Sequence, residues 1–278
     1  MTALGQRLGR LTDRTGLQWG AVVLAWLISA LTFQLRPIMP IDETRYLSIA
    51  WEMWHSGQWW VAHMNGVPYA DKPPLLFWLI NLGWGVFGVN DGWPRLIMPL
   101  ASLLGLFQLR RIALSLGYGP RTAMVKLFDS TGLAAMVSLK AAATVLALIS
   151  TTALAGMLTI MLAPLWPRMD TRQPATLLAR IEQQGQPVLW YGNRYQASFQ
   201  FAGRLTTPLQ TLDASPLALC RWRQAHPDGW IIGDSRQLPS PYVPGLARRF
   251  PWRARTLLVM PVSALQIATP LFLCPDPL

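Results

Sequence analysis

Apolar residues in this chain fall into four long runs and then thin out. The first run, Trp19 to Leu35, follows Arg7, Arg10 and Arg14, with Asp13 the one acid nearby. At 1.5 Å per residue a helix over this run reaches across most of a bilayer with some tilt. The positive-inside bias then puts the N-terminus in the cytoplasm and the segment from Arg36 on the opposite face. Without a small-residue cleavage site, the run reads as a retained anchor and not as a signal peptide. The second run, Leu75 to Gly88, opens behind Pro73 and Pro74, where prolines suit a helix start. A turn at Asn90, Asp91 and Gly92 leads to the third, Trp93 to Leu109, stopped by Arg110 and Arg111, and the two together predict a helical hairpin. A fourth span covers about Ala141 to Ala163. The basic stretch 110–140 reads as a cytoplasmic connector, whereas two full crossings before it would return it to the outer face. Since Leu75 to Gly88 covers only about 20 Å at helical rise, it is either re-entrant or the connector breaks the rule, and an outer C-terminal region is favoured.

Between the first two runs, residues 36–72 form a polar loop rich in interfacial aromatics: Tyr46, Trp51, Trp54, Trp59, Trp60 and Tyr69. Apolar positions from Ile41 to Trp54 recur at mostly helical spacing, which predicts an amphipathic helix on the membrane surface, ended by Gly57. From about Pro167 the apolar runs shorten. A helix over Ala175 to Gln184, another near Leu217 to Gln224, and strands at Pro187–Tyr191, Gly229–Ile232 and Thr256–Met260 predict a compact α/β domain. The expected architecture is a mainly α-helical, multi-pass integral membrane protein: a membrane domain over 1–166 with its extracytoplasmic loop 36–72, then a small α/β extramembrane domain over 167–278.

Composition agrees. The chain is 52% hydrophobic with 14 tryptophans, more than a soluble domain needs. Its net charge of +11 is almost all arginine, scattered or beside apolar segments. That placement matches anionic head groups and excludes a nucleic-acid partner. The two cysteines, Cys220 and Cys274, lie far apart without a CxxC pair, so neither a zinc site nor a disulfide framework is expected and both read as inert. The C-terminal region has no Gly-rich phosphate loop and no GxSxG elbow, and His226 stands alone.

Candidate chemistry therefore gathers in the loop. Asp42 and Glu43 follow the first run and Asp71 and Lys72 precede the second, so connectivity brings both pairs to one membrane face. A lipid phosphate presents its head group at that depth, where a lysine supplies compact positive charge and a carboxylate can orient or deprotonate an acceptor. The plainer alternative is that Lys72 snorkels, the acids begin an interfacial helix and the tryptophans form an aromatic belt.

The motifs DETRY at 42–46 and GQWWVAHMNGVPYADKPPLLFWL at 57–79 resemble the first loop of the aminoarabinose transferase and protein O-mannosyltransferase superfamily. The resemblance extends through FGVNDGWPRL at 87–96 and, more weakly, LWYGNRYQASFQFAGR at 189–204. It implies a GT-C membrane architecture and sugar transfer from a polyprenyl phosphate to a lipid, glycan or protein acceptor, in a bacterial inner membrane. It makes Asp42 the catalytic acid position, with Glu43 its companion. Lys72 becomes the lysine that engages the lipid phosphate, with Asp71, Arg45, Tyr46, Asn65 and Tyr69 as further substrate-binding positions. Asp71 stands where related motifs commonly carry glutamate. A divalent metal ion held by Glu43, His55 and His63 is a further expectation, against the plainer reading of the histidines as interfacial polar residues. Family members are considerably longer, with more spans before the soluble domain. The middle of the membrane domain is missing here, which leaves open a non-catalytic remnant that binds polyprenyl phosphate or serves a partner membrane chain.

Overall fold

A computed structural model describes residues 15–116, 156–157, 160–192, 194–238 and 242–266. The span expected at 141–163 and most of the basic connector lie outside the described residues. The chain forms two compact units: Met1–Arg36 with Gly92–Ala163, and Pro37–Asp91 with Pro164–Leu278. This differs from the division expected at 166/167, because the loop 36–72 shares a unit with the C-terminal residues.

In the first unit α1 (Thr15–Leu35) packs against α4 (Gly92–Ser115). The Trp26 indole donates to the Pro99 carbonyl at 2.7 Å and the Gln34 amide to Gly92 O at 3.2 Å. Val22, Ala30 and Ile97 are buried, while Leu24, Leu31, Met98 and Leu104 are exposed. The third run continues as helix beyond Arg110 and Arg111, since arginine is a good helix former. Among the described residues no helix is long and apolar enough to cross a membrane, which corrects the expected spans there. The helix at 75–87 has only 13 residues, about 20 Å at helical rise.

In the second unit, α2 (Asp42–Ser56) starts with two acids that suit the positive end of its dipole. The Glu43 Oε2 reaches back to accept the Met39 N–H at 2.8 Å. Gly57, at φ 71°, closes the helix by donating to Met53 O at 3.1 Å. The expected surface helix is instead packed into protein: Leu47, Ser48, Ile49, Ala50 and Met53 are buried, against α3 (Leu75–Phe87) and α6 (Gln200–Gly203). A hairpin follows α2, β1 (His63–Met64) pairing antiparallel with β2 (Val67–Pro68). Asn65 and Gly66, at φ 56° and 79°, make the two-residue turn, the left-handed geometry that Asn-Gly adopts most readily.

The C-terminal residues build a five-stranded mixed sheet in the order β4-β3-β5-β7-β6. β3 (Val188–Tyr191), β4 (Gln210–Leu212) and β5 (Trp230–Asp234) run parallel; β7 (Arg255–Pro261) is antiparallel to β5 and to β6 (Arg248–Trp252). Helix α7 (Pro216–Ala225) packs Leu219 and Trp222 with Leu189, Tyr191, Ile231, Leu258 and Met260. Helix α5 (Arg172–Gln183) buries Ala175, Leu178 and Ile181 and packs against α6. The expected α/β fold is present here. Cys220, buried on α7, is disulfide-bonded, which corrects the expectation of an inert thiol.

The segment entering α6 is pinned by Tyr195, 5% exposed, whose hydroxyl donates to Gln200 Oε1 at 2.6 Å and accepts from Phe199 N at 3.2 Å. Burial pushes this phenol well above the ordinary 10.0, outweighing the opposing effect of those two partners. The unfolded chain therefore loses the proton first, and stability is full below about pH 10 and lost as pH rises above it. From pH 10 to pH 11 the parent should lose about 1 kcal/mol more unfolding free energy than Tyr195→Phe, read from urea midpoints at the two pH values.

Candidate functional site

Asp42 opens α2 with its side chain 75% exposed and ion-pairs through Oδ1 with Nη2 of Arg45, one turn on. Arg45 is 20% exposed, its guanidinium 5.4 Å from the Tyr46 ring centroid. Its Nη1 donates to Gln196 Oε1 at 3.2 Å, and its Nε is buried without a hydrogen-bond partner. Phe77 of α3 sits between two phenols: its ring centroid lies 6.3 Å from that of Tyr46 and 6.4 Å from that of Tyr69. Tyr69 is buried, and desolvation raises its pKa; the nearby Arg45 works against that shift, and Asp71, Tyr46 and Asp42 reinforce it. One electrostatic neighbourhood thus holds Asp42, Arg45, Tyr46, Tyr69 and Asp71. Asp71 and Lys72 are exposed on the loop entering α3 and make no hydrogen bond or ion pair among the described residues.

The other expected residues lie outside that neighbourhood. Asn65 is taken up by structure: its Oδ1 accepts from Leu209 N and Gln200 Nε2, both at 2.8 Å, and its Nδ2 donates to Leu209 O at 2.8 Å. The side chain pairs with the Leu209 backbone as a strand would. The metal set is not assembled either. His55 turns its Nδ1 to Trp51 O at 2.8 Å, His63 to Val61 O at 2.9 Å, and Glu43 holds the Met39 N–H. Twelve helical residues, about 18 Å of rise, separate Glu43 from His55. Among the described residues no group of three or more His, Cys, Asp or Glu could hold a metal ion, so these residues do not fit the divalent ion expected for them.

Several residues that shape the site went unseen in the sequence. Ser48, 1% exposed, donates to Ala197 O at 2.6 Å and accepts from Phe201 N at 3.2 Å. The Trp51 indole donates to Leu205 O at 2.8 Å, and Trp84 stacks on Phe201 at 5.3 Å and 7°. Arg204 lies 3.9 Å above the Phe201 ring, and burial lowers its pKa. No local signal marks Gln196 or Ser48, whose partners lie about 150 positions away. The Asn-Gly turn did carry one.

No family model matches the chain. The undecaprenyl phosphate-α-4-amino-4-deoxy-L-arabinose arabinosyl transferase of Pseudomonas savastanoi pv. phaseolicola is 36% identical over 126 residues, which is 42% of this chain and 22% of that protein. The enzyme of the same name from Edwardsiella ictaluri is 36% identical over 111 residues, 37% of this chain and 20% of its own. Among solved structures, apo ArnT from Cupriavidus metallidurans is 28% identical, with a TM-score of 0.36 covering 53% of this chain and 27% of that one. The chain spans about a fifth of the length of the curated relatives it matches. Over roughly two fifths of its own length, the chain is similar in sequence to the undecaprenyl phosphate-aminoarabinose arabinosyl transferases.

Proposed function

We propose that the second unit carries the acid and lipid-phosphate residues of a glycosyltransferase that takes a sugar from a polyprenyl phosphate at the outer face of a bacterial inner membrane. The observation that supports this best is the gathering of Asp42, Arg45, Tyr46, Tyr69 and Asp71 around one loop, with unpaired Lys72 beside it. The relatives' names specify undecaprenyl phosphate, and the same class of donor is proposed here. Lys72 holds its phosphate as a point charge, stabilising the negative charge that grows as the bond from sugar carbon to phosphate oxygen breaks. Tyr69, a neutral phenol, supplies a hydroxyl donor. The exposed Asp42 carboxylate orients the acceptor and takes its proton as the new glycosidic bond forms. No step is routed through a metal ion.

Two further observations support the location. A disulfide at Cys220 suits an oxidising compartment. Trp59 and Trp60, 41% and 84% exposed, stand in the loop leading to Lys72, as aromatic residues do at a membrane interface.

A second reading is a non-catalytic remnant that binds polyprenyl phosphate or serves a partner membrane chain. Purified chain in detergent is expected to bind undecaprenyl phosphate, with Lys72→Ala weakening it about tenfold, roughly 1.4 kcal/mol. Equal affinity of parent and variant would remove the phosphate role. Sugar transfer by the purified chain alone would remove the remnant reading.

A further inference from the structure

We propose that Gln196 is a positioning residue for Asp42, acting through Arg45; this rests on the transferase reading of the same site. Arg45 touches both: Nη2 on Asp42 and Nη1 on Gln196 at 3.2 Å. Its Nε has no partner, so the plane of the guanidinium is set by these two contacts and the Tyr46 ring. Gln196 is itself held firmly. Tyr195 before it is locked by Gln200 and Phe199, and Ala197 after it, at φ 51°, gives its carbonyl to buried Ser48. The segment thus lays a fixed amide oxygen against Arg45.

Without that oxygen, Nη1 is left unsatisfied in a partly buried place, and the guanidinium, held at one end only, is free to turn. Asp42 then loses the orientation that an acceptor hydroxyl needs. Gln196→Glu retains the acceptor oxygen and serves as the conservative variant.

The full chain, labelled with 15N-arginine and held in detergent, provides the test. Hindered rotation of the Arg45 guanidinium is expected as resolved Nη proton signals, assigned by their loss in Arg45→Lys. They should vanish in Gln196→Ala and persist in Gln196→Glu, with both variants keeping the parent's circular dichroism. In transfer assays Gln196→Ala should lower kcat about tenfold with KM for the lipid donor nearly unchanged, as misorientation does, and Gln196→Glu should restore it. Persistence of the signals in Gln196→Ala, a parent kcat in that variant, or a raised KM at constant kcat would each overturn the proposal. If the parent shows no transfer while the signals behave as expected, the positioning geometry stands and the transferase reading falls.

Discussion

Asp42→Asn is expected to lower sugar transfer by roughly 10²- to 10⁴-fold, the usual weight of a general base, while leaving the protein folded. Asparagine keeps the size of the side chain and an oxygen for Arg45, so the local geometry survives. The exposed ion pair contributes little to stability, about 0 to 1 kcal/mol for pairs of this kind. What the substitution removes is the capacity to take a proton. Glu43→Gln is the matched control: that side chain closes the helix start through Met39, and the glutamine oxygen still accepts this bond. Its transfer should stay close to the parent's. Radiolabelled sugar transfer in membranes, normalised to protein present, reads both variants, and equal transfer in parent and Asp42→Asn would reject the role given to Asp42.

Deleting residues 164–278 is expected to unfold the motif loop along with the sheet domain. Helix α2 is completed by residues from beyond the deletion point. Ser48 exchanges two hydrogen bonds with Ala197 and Phe201, Trp51 one with Leu205, and Asn65 three with Leu209 and Gln200. At about 1 kcal/mol net each, these six bonds alone approach the lower end of a small domain's stability, about 5 kcal/mol. The Trp84–Phe201 stack is lost besides, and buried Ile49 and Ala50 lose cover. Limited proteolysis of the shortened chain should therefore cut within 42–68, where the parent resists. Protection of that segment in the shortened chain would show that the loop folds without its C-terminal half.

Local order was well written in the sequence, and long-range order was not. Helix α2 ends at the glycine expected of it, and β3, β5 and β7 fall where their apolar runs predict. Two strands of the five-stranded sheet escaped notice for different reasons. β4 has only three residues, and β6 reads Arg-Arg-Phe-Pro-Trp, charges and a proline that suit a sheet edge and erase the usual strand signal. The apolar stretch 75–87 reads as a membrane span by composition, yet Phe77, Ile80 and Trp84 are buried in protein. Hydrophobicity reports what leaves water, not what receives it. Among the site residues, Asp42, Arg45, Tyr46, Tyr69 and Asp71 are brought together largely by short loops that a motif can encode. The bonds of Asn65 were not foreseen, because its partner Leu209 is 144 positions away, and no spacing rule reaches that far.

The interleaved order of the two units has a consequence for how this chain can change in length. Asp91 meets Arg172 at 3.2 Å, so the polypeptide leaves the motif-bearing unit and re-enters it at neighbouring points. Residues 92–163 therefore behave as a guest inserted into a host. Lengthening or trimming the guest costs the host little, because loop closure depends only weakly on loop length. Natural variation in this lineage should accordingly accumulate in the guest, while the two halves of the host stay matched to one another.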